Sequence, residues 1–374
     1  MTSAGRLRSR NALLAALSIA AGLLAGLALL ELGLRLLPVR EALETQPVNQ
    51  RQPYKHFKPQ REAVFSSGWD FQLVNKVRVN NVGFVNAQDY SQEARSPLLA
   101  VIGDSYVEAL MVPHEDTIHG RLAAAAGERG RVYSFGASGA ALSQYLAYAR
   151  YARETFSPHA LVVVVVGNDF DESLLEYKSA GGFHYLAAGS EGKLSLQLQP
   201  YEPTVLGLLV RRSALARYLA FNLSLANLRN RFRNSERFVG NVPADVDAHR
   251  SMKSIQVIDY FLEALPAQSG VSPSATVIVV DAMRPQLYDK ASLGEAQNSY
   301  FARMRAHLLG RGRDLGYAMV DMQPRLMERH AKDGARFEWS FDGHWNSIGH
   351  EEAAAAVLAT GVPQRVFGAP LHPK

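Results

Sequence analysis

Ser105 ends the run Leu98-Leu99-Ala100-Val101-Ile102-Gly103-Asp104-Ser105. A hydroxyl delivered there by an apolar segment becomes a nucleophile once a base takes its proton. Asp342-Gly343-His344 offers such a base. Imidazole titrates near neutrality, and a carboxylate on its far nitrogen holds the tautomer and stabilises the imidazolium. Acyl chemistry also needs donors aimed at a developing oxyanion. The backbone N–H of Gly139 in Ser138-Gly139, the side-chain amide of Asn168 in Gly167-Asn168-Asp169 and the N–H of Ser105 itself are suited to that. Asp104 reads as a turn or capping residue that stiffens the loop rather than as an acid. Each piece also has a plain structural reading: a turn asparagine, a helix-entry glycine, a cap-and-turn beside a packed histidine. The placement of these residues at the C-terminal ends of successive apolar strands is what joins them.

The elements that must hold these residues alternate. Helical patterning spans Thr117–Glu128, followed by a strand over Arg131–Phe135 and a helix over Ser143–Thr155. Ala160–Val166, with five consecutive valines, is the strongest strand signal, since continuous β-branched runs mark strands buried on both faces. A helix over Ser251–Leu265, a strand over Thr276–Val280, a long helix over Gly294–Leu315, a strand over Tyr317–Val320 and a helix over Asn346–Thr360 complete the pattern. Such alternation predicts an α/β fold, a flavodoxin-like three-layer α/β/α sandwich with a parallel sheet of about five strands. Upstream, Phe71–Val74 and Val77–Val79 are strand-like, and Asn80-Asn81-Val82-Gly83 is turn chemistry. Between Asp169 and Arg250 no core strand is evident. That interval carries Leu206, Leu209, Val210, Leu215 and Leu219 at helical spacing, with Arg211, Arg212, Arg217, Arg229, Arg231, Arg233 and Arg237 among them. A lid, a solvated helical excursion and a segment lying on an anionic membrane are its three open readings.

Taken in order, the Ser, Gly, Asn and His blocks resemble those of the SGNH/GDSL hydrolase superfamily, over residues 96–361. The resemblance implies Ser105 as nucleophile, Gly139 and Asn168 as oxyanion donors alongside the Ser105 N–H, and His344 with Asp342 as base and orienter. The common His block is Asp-x-x-His, whereas this chain has Asp-x-His followed by Trp345-Asn346. That shorter form is similar to the branch containing alginate O-acetylation proteins and other extracytoplasmic acetyltransferases.

The chain has 374 residues, 47% of them hydrophobic, enough for one large or two medium domains. It has no cysteine, so disulfides and thiolate metal sites are excluded. The remaining histidines, His114, His119, His159, His184 and His350 among them, read as structural or surface residues. No cluster has metal-ligand spacing, and no cofactor is expected. The net charge of +5 is modest, and nothing points to nucleic acid.

Ala12–Leu30 holds no charged residue, and roughly 20 apolar residues suffice to cross a bilayer. Arg6, Arg8 and Arg10 precede it, which places the N-terminus in the cytoplasm and the rest outside, on the periplasmic side. An uncleaved anchor is favoured over a signal peptide because the apolar run is long and no small-x-small cleavage site follows. Glu31 and Arg35 are spaced to pair at the outer interface. The expected organisation is an Arg-rich tip and anchor over 1–37, a stem and small β-rich lead-in over 38–95, and a hydrolase-like domain over 96–374 with a basic helical insertion at about 170–250. The expected activity is that of a serine esterase on acyl esters, short-chain or acetyl, of envelope carbohydrate or lipid. Two alternatives stay open. One is an O-acyltransferase modifying an envelope glycan, supplied by a partner membrane acyl-donor protein, with Trp345 as a sugar-stacking face. The other is a non-catalytic carbohydrate-binding or scaffold domain.

Overall fold

A computed structural model describes residues 3–189, 193–223 and 237–368. Arg229, Arg231 and Arg233 of the basic stretch lie outside the described residues. The chain divides into two units. The smaller comprises Met1–Ala42, Val64–Val74 and Thr204–Arg233; the larger comprises Leu43–Ala63, Asn75–Pro203 and Asn234–Lys374.

In chain order, helix α1 is Ser3–Leu34, followed by strands β1 (Arg61–Ser67) and β2 (Leu73–Val79). Then come β3 (Leu98–Gly103), α2 (Ser105–Glu108), α3 (Ile118–Ala126), β4 (Arg131–Gly136), α4 (Leu142–Phe156) and β5 (Ala160–Val165). The interval expected to lack a core strand holds β6 (His184–Ala188), β7 (Leu194–Leu198), α5 (Val205–Arg212), α6 (Ala214–Arg217), β8 (Phe238–Val239) and β9 (Val242–Pro243). After it come α7 (Ala248–Ser269), β10 (Thr276–Val280), α8 (Lys290–Ala296), α9 (Tyr300–Asp314), β11 (Ala318–Asp321) and α10 (Met322–Asp333). The last elements are β12 (Glu338–Trp339), β13 (Asp342–Trp345), α11 (Ser347–Ala359) and α12 (Val362–Phe367).

Five strands build one sheet in the larger unit, in the order β11-β10-β5-β3-β4, and every pairing is parallel. Counted along the chain this is 2-1-3-4-5, the flavodoxin-like order, with its switch point between β3 and β5. Alternation along each strand sorts its side chains onto two faces. Leu98, Ala100, Ile102, Leu161, Val163, Val165, Ile278 and Val280 pack with residues of α4, α7 and α9. Leu99, Val101, Val162, Val164, Val277 and Val279 pack with residues of α3, α10, α11 and α12. Three layers result, and every residue of β3, β5 and β10 is buried. β6–β7 and β8–β9 are separate antiparallel pairs, so none of the described residues of the insertion joins the central sheet.

Two expectations need correction. The helix read over Gly294–Leu315 is two helices, α8 and α9, because Ser299 takes an extended conformation and its hydroxyl accepts the N–H of Ala302 as an N-cap. The two strand-like patches after Phe71 are one strand, β2, and Phe71 itself precedes it at a positive φ of 58°. At the other expected turn the chain reverses: the Gly83 N–H donates to the Asn80 carbonyl, and Gly83 sits at φ +89°.

In the smaller unit, α1 contains Arg10–Leu34, 25 residues whose most apolar 18-residue window has mean hydropathy 2.5 and no buried residue. At 1.5 Å per residue that is about 37 Å, long enough to cross a hydrocarbon core of about 30 Å.

Candidate active site

Gly103 ends β3, and only a glycine fits there, because a Cβ would lie 2.5 Å from Cγ2 of Val107. That close approach folds the chain straight from strand into the single turn of α2, with Ser105 at its head. Asp104 caps the turn, its Oδ1 accepting the N–H of Tyr106 at 2.8 Å. It is a capping residue, as its place in the sequence suggested.

The base side is assembled from one hairpin. His344 Nε2 lies 2.8 Å from Ser105 Oγ, and His344 Nδ1 lies 2.5 Å from Asp342 Oδ1. The same Asp342 oxygen accepts the backbone N–H of His344 at 2.9 Å. A two-residue spacing therefore suffices: the carboxylate folds back on its own strand as in an Asx turn and meets backbone and ring together. With Nδ1–H given to the carboxylate, Nε2 is left to accept the serine proton. Ser105 Oγ also lies 3.3 Å from Asp104 Oδ2, but one hydroxyl carries one proton, and the shorter contact is to the imidazole. The His344 side chain keeps 30% of its surface exposed, so the ring can be approached from solvent.

β13 pairs with β12 as a two-stranded antiparallel sheet, so His344 hangs on a hairpin outside the central sheet. A buried network holds that hairpin. The Tyr106 hydroxyl donates to the Gly343 carbonyl at 3.0 Å and accepts from Arg284 Nη2 at 3.0 Å. Arg284, 4% exposed, is paired with Asp281 at 2.7 Å and Glu338 at 3.0 Å. Burial alone would lower its pKa, but these carboxylates raise it further above its ordinary value. A guanidinium can satisfy both acids and the phenol through its fork of donors. Trp345 Nε1 donates to Asp281 at 2.9 Å, and Trp345 is 1% exposed. Trp345 is thus core and cannot serve as a sugar-stacking face, which corrects that expectation.

The oxyanion side follows β4 and β5, the two neighbours of β3 in the sheet. Gly139 adopts φ +86°, a conformation that disfavours any side chain. Ser138 before it donates from both its N–H, at 2.9 Å, and its hydroxyl to Glu108 Oε2, three residues after Ser105. Asn168 is held by an amide-to-amide clasp. Its N–H donates to Asn241 Oδ1 at 3.1 Å, and its own Oδ1 accepts from Asn241 Nδ2. The clasp leaves Nδ2 as the outward donor, with one hydrogen on Glu172 at 2.9 Å and a second for another acceptor. Lys178 ties the two segments together, donating to the Gly139 carbonyl at 3.0 Å and pairing with Glu172.

Two carboxyls sit beneath. Burial pushes Asp104 up to about 6, against the lowering effects of the Tyr106 N–H, the nearby His344 and Ser105. Burial, and then the charge of Asp104, raises Asp169 well above the usual carboxylate range; it accepts from Tyr145 and from the Val166 N–H. Among the other histidines, His350 is buried, accepts the Ile118 N–H at 3.2 Å and is pushed down to about 3 by burial. Among the described residues no group of three or more His, Asp or Glu could hold a metal.

Glu108, Glu172, Lys178, Asn241, Arg284 and Asp281 were not singled out from sequence. Glu108 and Glu172, three and four residues after Ser105 and Asn168, fall at helix-turn spacing that could have suggested them. Nothing in the order of residues marks the other four as neighbours of the site.

No protein-family profile and no curated protein matches the sequence. Among solved structures, a lipolytic G-D-S-L family member from Veillonella parvula is similar at TM-score 0.38 and 11% identity, over 71% of this chain and 97% of its own. A lipase/acylhydrolase from Enterococcus faecalis gives 0.37 and 12%, over 74% and 98%. A phospholipase A1 from Streptomyces albidoflavus gives 0.38 and 14%, over 71% and 99%.

Proposed function

We propose that this chain is a membrane-anchored SGNH-type serine hydrolase of acyl esters, with its catalytic unit on the extracytoplasmic side. The observation that carries the reading is the continuous hydrogen-bonded line from Ser105 Oγ through His344 to Asp342. His344 takes the Ser105 proton as the oxygen attacks the ester carbonyl, and Asp342 stabilises the imidazolium. The N–H groups of Ser105 and Gly139 and the free amide hydrogen of Asn168 receive the oxyanion. His344 then returns the proton to the leaving alcohol, and water, activated by the same imidazole, releases the acid from Ser105.

The anchor reading draws on α1 and on Arg6, Arg8 and Arg10 ahead of it, which by the positive-inside rule stay in the cytoplasm. The substrate class proposed is an acyl ester, short-chain or acetyl, on envelope carbohydrate or lipid. Transfer to a sugar hydroxyl would require an acceptor held in place of water. With Trp345 committed to the core, the residue that favoured transfer no longer does so.

The test is a panel of short-chain acyl esters and a serine-directed fluorophosphonate applied to the full chain in detergent. Turnover and labelling, both lost in Ser105→Ala with the fold intact by circular dichroism, are expected. A wild-type chain that neither labels nor turns over any ester would overturn the reading in favour of a binding module.

A further inference from the structure

Exposed apolar side chains are unevenly shared between the units. Among the described residues of the larger unit, the exposed large hydrophobics are Phe238, Met252, Met327 and Phe341. In the smaller unit, apart from α1, α5 by itself exposes Val205 at 76%, Leu206 at 71% and Leu209 at 58%, with Leu208 less exposed at 38%. Leu209 lies three and four residues after Leu206 and Val205, so the three fall within one apolar stripe about 100° wide. The helix is well defined at its start, where the Thr204 hydroxyl accepts the Gly207 N–H, and it ends in Arg211-Arg212. Such a stripe left in water is unfavourable.

The position of α5 along the anchor is fixed by Glu31, in the last turn of α1. Its carboxylate accepts the N–H groups of Ala214 and Leu215 at 2.9 and 2.8 Å and the Ser213 hydroxyl at 2.8 Å, and it also pairs with Arg35. Glu31 thereby sits on the N-terminus of α6, directly after α5, and Ala214 is fully buried there. A carboxylate at the edge of hydrocarbon is costly unless its acceptors are filled, and here they are filled by the segment that carries α5. Leu36, 88% exposed, and Trp69, 66% exposed, belong to the same unit, and the Trp69 carbonyl is held by the Tyr218 hydroxyl at 2.7 Å. Tryptophan is the residue type favoured at the level of lipid headgroups.

We propose that α5 is an interfacial helix: Val205, Leu206 and Leu209 insert into the outer boundary of the same bilayer that α1 crosses. Arg211 and Arg212 lie at the level of the lipid phosphates. The proposal rests on reading α1 as a membrane anchor. The bilayer is the occupant because α5 is fastened to the end of α1, whose long apolar stretch has no buried residue. Binding of this kind scales with buried apolar area plus attraction to anionic lipid. A spanning helix with a second helix lying in the interface holds the small unit at a set tilt to the membrane.

The chain has no cysteine, so single-cysteine variants can carry a nitroxide without background. Leu23→Cys in α1, Leu206→Cys and Leu209→Cys in α5, and Glu128→Cys on an exposed charged surface of the larger unit sample the four environments needed. The full chain is reconstituted in vesicles of phosphatidylethanolamine and phosphatidylglycerol, and spin relaxation by oxygen is compared with that by a water-soluble nickel chelate. Expected is an oxygen-to-nickel ratio at positions 206 and 209 several-fold above that at 128 and below that at 23. Ratios equal to that at 128, with 23 deep, overturn the interfacial helix and leave the anchor standing. Shielding of 206 and 209 from both reagents shows a protein cover and also overturns it. A water-exposed position 23 defeats the anchor reading and the proposal together.

Discussion

The two sides of Ser105 are built on opposite plans. On the base side, both working groups come from one tripeptide, and Asp342 meets His344 through a contact only two residues long. On the proposed oxyanion side, two of the three groups are held by residues distant in sequence: Asn168 by Asn241, 73 residues away, and Gly139 by Lys178, 39 residues away. The local device forms wherever the hairpin forms. The distributed one forms only when the insertion after β5 is folded in place, because Glu172, Lys178 and Asn241 all belong to it. The insertion, whose described residues supply no strand to the sheet, therefore supplies the residues that hold Asn168 and Gly139, the proposed oxyanion donors.

The largest effect expected is on the base side. His344→Ala removes the proton acceptor, and hydrolysis should fall on the order of 10⁴–10⁶-fold, with thermal stability little changed because the ring is part exposed. Loss of less than tenfold would show that another group takes the proton.

An intermediate effect is expected across the site. Asn168→Ala should cost about 10²–10³ in kcat. Lys178→Met should cost about tenfold, near 1.4 kcal/mol of transition-state energy, with KM unchanged, since Lys178 acts through Glu172 and the Gly139 carbonyl. Equal losses in the two variants would make Lys178 a direct participant and erase the distinction between donor and holder. A rise in KM alone would assign both residues to substrate binding.

The smallest effect tests the seam between the two sides, Asp104, whose charge is felt by His344 and by Asp169. Its carboxyl is raised by burial from about 3.9 in the unfolded chain to about 6. Between those values the folded state binds the proton more tightly than the unfolded state, so stability falls as pH rises from about 4 to about 6 and then levels. Asp104→Asn keeps the acceptor for the Tyr106 N–H and removes that titration. Relative to wild type, the variant should gain up to about 3 kcal/mol across this window, read as melting temperature against pH. Parallel pH profiles for the two proteins would show that Asp104 ionises normally.

Much of this was legible in the residue order, for a physical reason. A parallel strand buried on both faces must be apolar throughout, so Leu98–Gly103, Ala160–Val165 and Thr276–Val280 announce themselves as sheet. The uncharged run Ala12–Leu30 announces a helix long and apolar enough to cross a membrane. The same chemistry thus has two outcomes, zero exposure in β5 and zero burial in α1, and length alone separates them. The cap at Asp104 and the Asp342–His344 contact are local, within reach of a few bonds, and local geometry is what a sequence writes directly. The break between α8 and α9 was missed although it too is local, because a serine cap inside a helical period competes with the pattern on nearly equal terms.

Tertiary structure alone decided the rest. Whether Trp345 faces solvent or core depends on Asp281, 64 residues earlier in the chain. Whether Asn168 presents its amide nitrogen or its oxygen depends on Asn241. Arg284 can be buried only because Asp281, Glu338 and Tyr106 arrive from three separate segments to satisfy it. Apart from Arg284–Asp281, which lie three residues apart, each is a hydrogen bond between residues far apart in the chain. A side chain's partners across such distances are set by which strands lie side by side in the sheet, and residue order carries that only through the packing of the whole.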